Sequence, residues 1–114
     1  MNILQILKII VAIVTSLTGA VSLLWPAKVQ GFTGLNANGG RGFTEIRTIL
    51  GALFIALGAA ALYFNMPVTY QMLGITYLTM AIVRGVSMFV DKSVVSSNVI
   101  SLVVELAAGV ILVL

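Results

Sequence analysis

In this 114-residue chain 61% of residues are hydrophobic, 8% are charged and the mean hydropathy is +1.19, which leaves room for one domain and lies outside the range of soluble ones. Cysteine and histidine are both absent, which excludes disulfides, thiol nucleophiles and the commonest metal ligand and general base. The net charge of +3 comes from six basic and three acidic side chains without a basic run, a pattern that sets membrane topology or touches lipid phosphate and does not mark a nucleic-acid binder.

A membrane-spanning helix needs about 20 mostly apolar residues. The charges and the Gly/Pro breaks leave four such segments, Ile3–Trp25, Phe43–Phe64, Val68–Val90 and Val94–Leu114. These runs are continuous and over twice the length of a barrel strand, so the fold class is all-α, a single transmembrane domain built as an antiparallel four-helix bundle. The first segment has Lys8 ahead of a long apolar stretch, like a signal peptide. It outruns a usual h-region and has no small-x-small cleavage site, so it is expected to be retained.

Helix one is expected to end at Trp25-Pro26, an interfacial aromatic followed by a residue that favours leaving a helix. The longest loop follows, from Ala27 to Gly42, rich in Gly and Asn and able to turn tightly or to approach a ligand with its backbone. The second helix begins between Gly39 and Phe43. Asn65-Met66-Pro67 and Asp91-Lys92-Ser93 make tight hairpins to the third and fourth helices, and short links force antiparallel neighbours. Lys28, Arg41 and Lys92 flank the two loops on one side, against Lys8 and the amino terminus on the other, so the positive-inside rule places the termini in the periplasm of an inner-membrane protein.

Helical spacing then sorts the faces. Thr15, Thr18, Gly19 and Ser22 form a small, polar stripe; Arg47, Gly51, Phe54 and Gly58 share a face of the second helix; Tyr70, Gly74, Tyr77, Ala81 and Arg84 share one of the third; and Ser97, Ser101, Glu105 and Ala108 share one of the fourth. Small residues let helices approach where lipid offers no hydrophobic drive, and for most of these positions a packing seam is the plain reading.

The charges ask for more. An ionised side chain at bilayer depth costs ~2.5–3.5 kcal/mol on insertion scales, so Glu45, Arg47, Arg84 and Glu105 need partners, water or a ligand. Two residues apart, Glu45 and Arg47 lie on nearly opposite sides of a helix and need separate partners. Counted from the Asp91-Lys92 turn, Arg84 and Glu105 are offset by roughly 8 Å along the bilayer normal at 1.5 Å per residue, a gap that an extended arginine bridges in large part. Three helices are therefore expected to converge on one polar cluster of Glu45, Arg47, Arg84 and Glu105, with Arg41, Tyr77 and Ser101 beside it. No residue set suggests catalysis, a metal or a cofactor. The Gly-rich stretch from Gly31 to Gly42 lacks the Lys-Ser/Thr ending of a phosphate loop and follows a helix, so nucleotide is not expected.

The segment from Asn38 to Gly58, with Glu45-Ile46-Arg47 followed by Gly51 and Gly58, resembles a family of small four-helix bacterial membrane proteins of unknown function. That family has a Glu-x-Arg early in its second helix, an arginine late in its third and an acid in its fourth, places that Glu45, Arg47, Arg84 and Glu105 occupy here. More distantly the chain looks like the DoxX-like group, some members of which are oxidoreductase-associated subunits and others assembly factors; that likeness carries an architecture and not a function. The expectation is an inner-membrane protein that contacts membrane lipid and whose Arg/Glu cluster binds a small anionic or amphiphilic ligand. The alternatives are an accessory subunit or homo-oligomer, with a membrane protein partner and the cluster as a structural lock, and a small proton-coupled transporter with Glu105 as carrier.

Overall fold

A computed structural model describes all residues from Met1 to Leu114. The chain is helical throughout, without strands, as α1 (Ile3–Leu24), α2 (Pro26–Thr33), α3 (Gly39–Phe64), α4 (Pro67–Val90) and α5 (Ser96–Val113). Four of these, α1, α3, α4 and α5, are long and apolar enough to cross a membrane, the pattern of a multi-pass membrane protein.

Boundaries differ from the sequence reading where a local conformation intervenes. α1 stops at Leu24 because Trp25 leaves the helical region at φ −132°, and Pro26 opens a new helix, not a loop. Proline suits a first helical position, where its missing N–H is not needed and its φ is already set. α2 ends at Gly34, which adopts the left-handed conformation at φ +76° and donates its N–H to the Gln30 carbonyl. The second span starts at Gly39, four residues before Phe43, and the third at Pro67. The last starts later than Val94, at Ser96, because Val95 is extended at φ −119° and ψ 161°, and it ends at Val113.

Two compact units make up the chain, Ile9–Phe64 and Met1–Lys8 with Asn65–Leu114. In the first, α1 and α3 touch backbone to backbone. A Cβ added at Gly19 would sit 2.5 Å from the Gly51 carbonyl, and one at Gly58 would sit 2.5 Å from that of Ala12. Hydrogen is the only side chain those approaches admit, which is how helices gain contact when apolar burial brings nothing over lipid. The Ser16 hydroxyl crosses the same seam to the Ile55 carbonyl at 3.3 Å. Residues 46–52 of α3 are π-helical, with the Leu53 N–H reaching back to the Thr48 carbonyl. A one-turn widening of this kind recurs at functional sites.

In the second unit, α4 packs along α5. Gly74 lies against Leu112 and Val113, and Leu78 against Gly109, positions that descend in α5 as they rise in α4. Tyr70, Leu73, Tyr77, Ala81 and Met88 are the buried row of α4 and Glu105, Ala108, Gly109 and Leu112 that of α5. Large apolar side chains such as Ile82, Val86, Phe89, Val103 and Val110 stay exposed, as lipid-facing positions do.

Candidate functional site

Asn98 organises the best-connected polar group in the second unit. Just past the turn, its amide donates to the Ser93 carbonyl at 3.0 Å, and its Oδ1 accepts from Arg84 Nη1 at 2.8 Å. Held from that side, the guanidinium presents its fork to Glu105, with Nε to Oε1 at 2.7 Å and Nη2 to Oε2 at 2.8 Å. This is the bidentate geometry in which Arg and carboxylate gain most from each other. The Glu105 side chain is only 6% exposed and that of Arg84 32%. Both carboxylate oxygens are occupied, and no buried side-chain polar atom lacks a partner. Tyr77, buried and two turns before Arg84, and Ser101, half-buried and one turn before Glu105, lie along the same faces.

Glu45 and Arg47 belong to the other unit, and each has a partner there. Arg41, one turn earlier, pairs with Glu45; the side chains are 78% and 54% exposed. Arg47 turns the other way and donates through Nη1 to the Leu23 carbonyl at 2.6 Å. That carbonyl belongs to the last turn of α1, where backbone acceptors have no intrahelical donor. Within their units the four charges make three sets of contacts, Arg41 with Glu45, Arg47 with the Leu23 carbonyl, and Arg84 with Glu105. In the first unit an i,i+4 arginine and a helix-end carbonyl satisfy Glu45 and Arg47 at short range. The Arg41–Glu45 spacing was visible in the sequence, whereas the roles of Leu23 and Asn98 had no signal in it.

Beside Glu45 lies a cavity of about 320 Å³ lined by Leu35, Asn36, Ala37, Gly42, Glu45, Ile46, Ile49 and Leu50. One wall is a face of α3, since positions 42, 45, 46 and 49 recur at helical spacing. The other is the segment between α2 and α3. Gly34 turns the chain back, the Ala37 N–H donates to Gln30 Oε1 at 2.6 Å, and a Cβ on Gly42 would come within 2.9 Å of Ala37 Cα. The Gly-rich run thus serves to fold a short flap onto α3. The volume is at the small end for ligand sites, and the lining is apolar with Asn36 and Glu45 as its polar members. No three acidic, His or Cys residues gather to hold a metal ion. Set against family models, curated proteins and solved structures, the chain matches none.

Proposed function

We propose that this is a bacterial inner-membrane protein whose four spans pack as an antiparallel bundle and that it binds a small amphiphile in the cavity beside Glu45. The observation that carries this reading is the cavity itself: apolar side chains of Leu35, Ile46, Ile49 and Leu50 on its walls, with Asn36 and Glu45 among them and Arg41 paired to that glutamate. A single acyl or isoprenoid chain suits the walls, and a polar head that accepts from Arg41 or donates to Glu45 suits the rim. Ile49→Trp, which fills the space, is expected to abolish binding of a fluorescent single-chain phospholipid to the protein in nanodiscs. Gln30→Ala, which frees the flap, is expected to weaken it. Binding by Ile49→Trp equal to wild type would overturn the proposal.

A second reading, that of an accessory subunit with an ionic lock, has its own support. Arg84 has its carboxylate and amide partners in place, and each Glu105 oxygen accepts from the guanidinium, so that pair acts as a clasp between α4 and α5. The same pairing speaks against Glu105 as a proton carrier. The two roles coexist, because the clasp and the cavity use different residues.

A further inference from the structure

Lys8 has no part in either arrangement. It lies near the start of α1, five residues after Ile3 and so about 7.5 Å along the helix at 1.5 Å per residue. Only 9% of the residue is exposed, yet its side chain makes no ion pair and no hydrogen bond. Its ammonium is nevertheless not sealed in, since no fully buried side-chain nitrogen lacks a partner. The stem is therefore covered while the charged tip reaches an opening, as lysines near a membrane interface do.

The chain supplies no acidic side chain for that tip. Glu45 is held by Arg41 and Glu105 by Arg84. Asp91 follows the far end of α4, whose 24 residues separate it from Asn65 by about 36 Å. What the chain does supply is further hydrogen-bond donors. Gln5, three residues before Lys8 and so on the same face of α1, donates to Asn65 Oδ1 at 3.4 Å, and the buried Tyr70 hydroxyl donates to that same oxygen at 2.8 Å. Oδ1 is engaged twice, while the Asn65 Nδ2 hydrogens make no hydrogen bond within the chain. Asn65 sits at φ +48°, in the turn between α3 and α4. A covered cation without an ion-pair partner, about one helical turn from the Gln5–Asn65 amide pair and near the end of an apolar helix, is complementary to a phosphate oxyanion.

We propose that Lys8, with Gln5 and Asn65 at its rim, is a phosphate-binding site, filled by the headgroup of an anionic phospholipid or by free phosphate. The site is independent of the cavity beside Glu45. The test compares wild type, Lys8→Met and Lys8→Arg in nanodiscs of phosphatidylcholine alone, with added phosphatidylglycerol, and with added inorganic phosphate. It reads the melting temperature in each and the retained lipid by native mass spectrometry. Wild type and Lys8→Arg are expected to gain melting temperature with phosphatidylglycerol, and Lys8→Met to lose that gain and to retain about fivefold less of the lipid, the size of one basic residue at an anionic surface. Protection of wild type but not Lys8→Met by inorganic phosphate would identify the free anion as ligand, and its failure alongside a lipid effect would identify the headgroup. Lys28→Met, which removes a surface charge elsewhere, is the control. If Lys8→Met responds to both additives as wild type does, or if Lys28→Met loses as much as Lys8→Met, the proposal is wrong. Should Lys8→Met not fold, Lys8→Gln and Asn65→Asp carry the same comparison.

Discussion

Replacing Arg84 by alanine removes three hydrogen bonds at once, two to Glu105 and one to Asn98. Bonds to charged groups contribute ~1.5–3 kcal/mol each, but their sum overstates the net effect because forming the pair also desolvates both ions. The larger consequence falls on Glu105, whose 6% exposed side chain is left without its cation and must take up a proton or admit water. Breaking one side of a buried pair costs ~3–5 kcal/mol, and the lower end applies here, since Arg84 is a third exposed and polar groups in an unfolded membrane state find other partners. About 3 kcal/mol is therefore expected for Arg84→Ala, measured by reversible unfolding in mixed micelles of dodecyl maltoside and sodium dodecyl sulfate. Glu105→Gln keeps a carbonyl acceptor and is expected to cost about 1–2 kcal/mol. Arg84→Met combined with Glu105→Leu removes both charges and is expected to return to within ~1 kcal/mol of wild type. Single variants within about 0.5 kcal/mol of wild type would refute the clasp. So would a double variant as unstable as the two singles added together.

Other positions separate close packing from surface charge. Gly58→Val drives a branched side chain into the Ala12 carbonyl, 2.5 Å from the position of its Cβ, and is expected to cost at least ~3 kcal/mol by the same assay, at the upper end for overpacked sites. Gly74→Val, whose Cβ would lie 2.8 Å from that of Leu112, is expected to reduce folded yield in detergent, read by size-exclusion chromatography. Arg41→Ala breaks an ion pair between exposed side chains and is expected to shift stability by less than ~1 kcal/mol, while changing which headgroups the fluorescent phospholipid probe tolerates. Gly42→Leu pushes Ala37 and its flap off α3, and its effect is expected in probe binding, with melting temperature little changed.

Four segments long and apolar enough to cross a membrane, and roughly where they lie, were legible in the residues alone. Hydropathy and helical period are local properties, and no tertiary contact is needed to make twenty apolar residues favour a bilayer over water. The sequence also singled out Arg84 and Glu105, because a charge inside an apolar run is conspicuous without any structure. Which groups answer the charges depends on how the chain folds. Arg84 reaches Glu105 because Asn98 holds its other edge across a turn; Arg47 is met by a backbone carbonyl of α1 that no side-chain pattern announces; and Glu45 takes the neighbour one turn away. α2 was masked by the glycines and asparagines around it, and the cavity exists only because Gln30 and Gly42 draw residues 35–37 onto α3. Hydrogen bonds depend on direction and on distances of a few tenths of an ångström, and those are set by how helices approach one another, not by the order of residues along any one of them.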